Sequence, residues 1–227
     1  PAIASCGQQS KACEVEPDEL RMRAVIIDDG FGAFVDISFS DEDDEEADES
    51  MRLCLDQGAD LTVNGMKPRE DSYAGWRYIA EFPAPPNEYE IVYTSGVTGE
   101  TFTASVRPAA DFEFASPEPG SELSRAEDVM LQWSNFGPGQ ADGEARLIVT
   151  NEDVTCLERD FEATVDDESG EFVVPGGSIE PGADPMASCD AAFVLGKLVF
   201  GDYPAGLHPN GYVDAFTVRD LRFVSVP

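Results

Sequence analysis

Histidine and lysine are the first shortages. His208 is the only histidine, and Lys11, Lys67 and Lys197 are the only lysines among 227 residues. A Cys/His zinc set therefore lacks ligands, and a histidine general base has a single candidate. That candidate lies in "AGLHPNG", a turn-like segment where an exposed loop position is expected. The chain also lacks G-x-S-x-G, S-x-x-K, H-E-x-x-H and any phosphate-cradling glycine loop. A two-carboxylate hydrolase remains as a rival reading. It is not singled out by 46 acids, since so many always include some suitably spaced pair. The expectation is a protein that is not an enzyme. No apolar run reaches 18 residues, so no membrane-spanning helix is expected.

Positive charge is the next shortage. The formal net charge is −32, and it is spread evenly: residues 1–113 hold 8 cations and 25 anions, residues 114–227 hold 6 and 21. An acidic tail for one basic partner would load one end of the chain. Global acidity instead reads as adaptation to saline surroundings, where screening lengths of ~10 Å at 0.1 M salt and shorter at higher salt reduce self-repulsion. A cationic partner is the sharper alternative. Nucleic acid and anionic membrane surfaces would be repelled.

The five cysteines form no C-x-x-C pair. Cys13 and Cys54 fall in the first part of the chain, Cys156 and Cys189 in the second, and Cys6 is left over near the N-terminus. The economical reading is two disulfides, Cys13–Cys54 and Cys156–Cys189, each worth roughly 4 kcal/mol by loop-closure entropy. Such bridges imply an oxidising compartment. Around the odd cysteine, Ile3-Ala4-Ser5-Cys6 looks like a bacterial lipobox, with the polar stretch Gly7 to Lys11 as tether. Lipidation at Cys6 is the expectation carried forward. An unpaired or interchain-bonded cysteine is the alternative, since a chain cleaved before Cys6 is not expected to carry Pro1 to Ser5.

Period-two alternation dominates what is there, and no segment sustains a helical period. In "FGAFVDISF", Phe31, Ala33, Val35, Ile37 and Phe39 share one face, and "MRLCLDQ" places Met51, Leu53 and Leu55 opposite Cys54. Strands are also read in "GWRYIAEF", "EYEIVYT" and "ETFTASVR", the last two joined by a hairpin loop over Ser95 to Gly99. Proline and glycine interrupt the pattern in "RPAADFEFASPEPGSEL". A second series follows in "DVMLQWS", with Val129, Leu131 and Trp133 together, then "ARLIVTN", "FEATVD", "GEFVVPG", "DAAFVLGKLVFG" and "DAFTVRDLRFVSV". One helical turn is expected over Ser124 to Val129. The organisation expected is an all-β chain with a tether over residues 1–11 and two consecutive antiparallel sandwich domains, 12–113 and 114–227.

The runs "SPEPGSELSRAEDVMLQWS" and "GEFVVPGG" and the close "TVRDLRFVSVP" resemble the second domain of small two-domain lipoproteins of Gram-negative bacteria. The resemblance covers residues 115–227 and implies immunoglobulin- or fibronectin-like sandwiches, with no catalytic residues. Trp133 precedes both Cys156 and Cys189, whereas antibody-type domains place the tryptophan between the cysteines, so a variant bridge is expected.

The acidic run "SDEDDEEADES" puts eight carboxylates into residues 41–50. Calcium suits clustered carboxylates, and Asp41, Asp43, Asp44 and Glu46 are the candidate ligands. The run has Glu46 where an EF-hand loop needs glycine, so a solvated connector is the primary reading and calcium the alternative. Asp28-Asp29 and Asp166-Asp167-Glu168 read as turns beside glycine. Tyr73, Trp76 and Tyr78 suggest a glycan platform. Alternation sets Trp76, Tyr78, Ala80 and Phe82 on one face, which reads more simply as core. No cofactor beyond calcium is expected. The functional expectation is a secreted, periplasmic or outer-membrane-tethered binding or structural module of a surface assembly, with a protein partner or self-association. A filament subunit whose N-terminal residues add to a neighbour's sheet edge is its structural rival.

Overall fold

Alternating burial follows the alternating sequence. In a computed structural model, which describes residues 15–41, 53–55, 58–71, 76–134, 145–151, 157, 161–166 and 169–227, strands and turns make up the architecture and no helix occurs among those residues. The chain forms two compact units. Unit 1 runs to Pro108 and takes in Phe200–Ala215; unit 2 comprises Ala109–Val199 and Phe216–Pro227.

Unit 1 contains β1 (Arg21–Asp28), β2 (Ala33–Ser40), β3 (Asp60–Val63), β4 (Arg69–Asp71), β5 (Arg77–Phe82), β6 (Tyr89–Thr94) and β7 (Thr101–Val106). One sheet follows the order β1-β2-β5-β4, and a second has β3-β6-β7. The β1–β2 register pairs Met22 with Phe39 and Ala24 with Ile37, so their apolar side chains share the inner face. Phe39 then meets Tyr93 of β6 at 5.0 Å and Tyr78 of β5 at 6.1 Å between ring centroids. Phe82 meets Tyr89 edge-on at 5.4 Å. Phe39–Tyr93 and Phe82–Tyr89 join the two sheets, which is the packing of a sandwich, while Phe39–Tyr78 lies within one of them. The hairpin of β6 and β7 turns where expected: Ser95 N–H donates to Glu100 O, and the Ser95 hydroxyl accepts from Val97 and Thr98 N–H.

Unit 2 contains β8 (Phe114–Ser116), β9 (Glu122–Ser124), β10 (Val129–Trp133), β11 (Ala145–Asn151), β12 (Phe161–Val165), β13 (Glu171–Val174), β14 (Cys189–Phe200) up to Val199 and β15 (Tyr212–Val226) from Phe216 onward. Its sheets are β12-β11-β14-β15, with β9 parallel to β15, and β13-β10-β8. Val129, Leu131 and Trp133 of β10 point into a core shared with Leu147 and Val149, Phe193 and Leu195, and Leu221 and Phe223. The rings of Phe193 and Phe223 stack at 4.4 Å.

The division departs from the expected 12–113 and 114–227. Residues before 114 already belong to unit 2, because Asp111 accepts from Arg219 Nε and Nη2 at 2.9 and 2.6 Å and Ala109 O accepts from the Thr217 hydroxyl. Phe200–Ala215 belongs instead with unit 1, where Gly201 N–H donates to Val213 O and Ser105 and Asp202 exchange backbone bonds. The proline-rich interval around the expected boundary holds β8 and the start of β9.

Three local expectations are corrected. Ser124 to Val129 is a turn without helix, because Arg125 is drawn inside: its guanidinium donates to Ser225 Oγ, Pro185 O and Ala187 O. Phe31 leaves the β2 face and stands 89% exposed in the β1–β2 connection. His208 is buried, not exposed; its N–H donates to Leu20 O at 3.0 Å and its Nδ1 accepts from Asn210 N–H at 3.3 Å.

Candidate functional site

The β1–β2 hairpin ends in Asp28-Asp29-Gly30-Phe31-Gly32, two acids and two glycines around one aromatic. Asp28 Oδ1 accepts from Gly30 N–H at 2.9 Å, and Asp29 Oδ1 accepts from Phe31 and Gly32 N–H at 2.9 and 3.2 Å. Gly30 has φ 86°, a conformation that favours glycine. The turn expected from the acid pair is therefore present, and its side-chain bonds fix the loop. What they fix is the display of Phe31.

Burying a phenylalanine side chain is worth roughly 1.5–3 kcal/mol, and Phe31 forgoes that gain in the isolated chain. Its surroundings are apolar too. Ile27, 41% exposed, pairs across the strands with Phe34, and a cleft of about 510 Å³ is lined by Ile27, Phe31, Phe34, Phe82, Asp29 and Glu81. An apolar floor, a protruding ring and two carboxylates make a contact surface with a preference for cationic neighbours. Beside it on the same face, Arg77 Nε donates to Asp36 Oδ1 at 2.9 Å, closing an ion pair whose side chains are 30% and 18% exposed.

The shifted ionisable groups lie elsewhere and have structural causes. Burial pushes Tyr78 up to about 12, against the lowering effect of the Leu55 N–H that its oxygen accepts, with Glu70 and Tyr93 adding to the rise. Tyr89 is raised by burial and by the Asp28 charge. Glu70 and Asp214 are raised by burial.

Of the sites expected from sequence, the structure answers only some. Cys54 and Cys189 are disulfide-bonded, and their partner sulfurs lie outside the described residues, as do Cys6, Cys13 and Cys156. Cys54 is held fully buried between Leu53, whose N–H donates to Phe39 O, and Leu55, bonded to Tyr78. Asp41 follows β2, whereas Asp43, Asp44 and Glu46 lie outside the described residues. No group of three or more His, Cys, Asp or Glu converges on a metal position among the described residues. Tyr73 also lies outside them, and Tyr78 is 5% exposed, so it faces the core and offers no ring to a glycan. The Phe31 tip was missed because the alternation from Phe31 to Phe39 hides the interruption at Gly32. The acid–glycine spacing was the signal that could have shown it. Set beside known proteins, the chain matches no protein-family model and no curated protein.

Proposed function

We propose that the protein is a non-catalytic binding module of a cell-surface assembly, built on two β-sandwich units of immunoglobulin or fibronectin type and docking a partner protein through the Phe31 tip. The observation that carries this reading is an 89% exposed phenylalanine on a turn whose three side-chain-capped amides hold it in place. Preorganisation of this kind lowers the ordering cost of association. The partner is a protein with an apolar pocket rimmed by Lys or Arg, because Asp29 and Glu81 flank the ring and the chain carries −32 overall. A second copy is disfavoured by the same charge. Secretion is supported by the bonded state of Cys54 and Cys189. Tethering at the outer membrane through Cys6 rests on the lipobox-like tetrad. The acidic run after Ser40 is read as a solvated connector, with calcium as the alternative ligand of Asp41, Asp43, Asp44 and Glu46.

The test is native purification of wild type and Phe31→Ser from cells that make the protein. A stoichiometric companion with wild type, absent with Phe31→Ser at unchanged thermal stability, is expected. Identical behaviour of the two as bare monomers would contradict the reading.

A further inference from the structure

On the face of β1 opposite the unit 1 core, Arg21 and Arg23 stand one pleat apart, facing Ser40 and Ser38 of β2 in register. Arg21 is 3% exposed, and the Nε atoms of both arginines are buried without a hydrogen-bond partner. Neither guanidinium forms an ion pair with a carboxylate of the described residues, although the chain holds 46 acids. Arg23 rests over the Tyr212 ring, 6.0 Å from its centroid. The contrast with Arg125 is instructive. That buried guanidinium has its donors taken up by Ser225, Pro185 and Ala187.

Hydroxyl groups that can donate stand beside the two arginines. Tyr203 oxygen accepts from Met22 N–H at 3.1 Å, which leaves the phenol hydrogen free to donate. Burial raises the Tyr203 phenol, while the Met22 bond and the charge of Arg21 pull it down. Cross-strand partners bring side chains within about 4.5–5.5 Å at Cβ, so the Ser40 hydroxyl is within reach of the same space. A desolvated guanidinium with no counter-charge is costly, and an anion beside it recovers that cost through charge-assisted hydrogen bonds.

We infer that Arg21 and Arg23, with Ser38, Ser40 and the Tyr203 hydroxyl, form a binding site for a single small oxyanion group. The class is a carboxylate or a sulfate- or phosphate-like group. A polyanion is disfavoured, because the chain's net charge of −32 repels extended negative charge. This site does not depend on the Phe31 docking surface, and it is tested in the isolated protein.

The full chain is titrated with sodium acetate, sulfate or phosphate at neutral pH and ionic strength matched with NaCl, following calorimetric heat and melting temperature. At least one oxyanion is expected to bind saturably and raise the melting temperature beyond NaCl; which one does so separates the planar from the tetrahedral group. Arg21→Met is expected to weaken that binding at least tenfold and to melt higher than wild type without anion, since it removes a buried charge that no carboxylate of the described residues pairs. Arg23→Met and Ser40→Ala are expected to weaken it less. Sulfate and phosphate also stabilise proteins generally by exclusion, but that response does not saturate and is indifferent to these substitutions. The inference is overturned if wild type responds to none of the oxyanions beyond NaCl, or if its response is unsaturable. Undiminished saturable binding in Arg23→Met and Ser40→Ala overturns it even should Arg21→Met fail to fold.

Discussion

Tyr203 oxygen accepts the backbone N–H of Met22 across 181 residues of sequence, and Gly211 makes room for it. A Cβ at Gly211 would lie 2.1 Å from the Tyr203 oxygen and 2.4 Å from Met22 O, so only glycine fits there. The first strand of unit 1 is thus completed by a segment that arrives almost at the end of the chain.

Tyr203→Phe leaves the Met22 amide without its acceptor and is expected to destabilise unit 1 by about 1–3 kcal/mol, read by chemical denaturation. A chain ending at residue 113 lacks Tyr203, Leu207 and Val213 and is expected to show no cooperative melt. A sharp transition from that fragment would contradict the assignment of Phe200–Ala215 to unit 1.

Such long-range relations set the limit of what was legible. Strand positions with clean alternation, such as Val129-Leu131-Trp133 and Tyr89-Ile91-Tyr93, were readable because one face is buried and side chains repeat every two residues. The Asp28-Asp29 turn was readable because its bonds are local. The short strands β3 and β4 were not: "DLTV" and "RED" are too brief or too charged to signal, and they exist through pairing with β6 and β5. His208 reads as a loop residue until Leu20, remote in sequence, receives its N–H. At the candidate site the acids and glycines were visible, but the exposure of Phe31 was not, since it depends on the chain leaving β2 at that point.

Disulfide mapping without reduction is expected to recover Cys54 with Cys13 and Cys189 with Cys156, leaving Cys6 over. Removing either bridge is expected to cost about 2–5 kcal/mol. A peptide joining Cys54 to Cys156 would overturn the pairing.

Alkaline pH should unfold the protein through its buried phenols. Tyr78 holds its proton in the folded state up to about 12, whereas the ordinary value is 10.0. Above pH 10 the unfolded chain therefore binds fewer protons than the folded one, and stability falls as pH rises until the folded phenol also titrates near 12. Tyr89 and Tyr203, both raised, act in the same direction. Denaturant midpoints measured between about pH 8 and 12 should decline through this window, with a shallower decline in Tyr78→Phe. A flat profile would show that these phenols reach solvent.

The central claim is that Phe31 is displayed for a protein partner, and cross-linking from that position in living cells tests it most directly. A photoreactive phenylalanine analogue at position 31 should give one discrete adduct, while the same analogue at the exposed Glu118 of unit 2 gives none, and Glu81→Lys should diminish the adduct by placing a cation against the partner's basic rim. No adduct from position 31, or the same pattern from both positions, would contradict it.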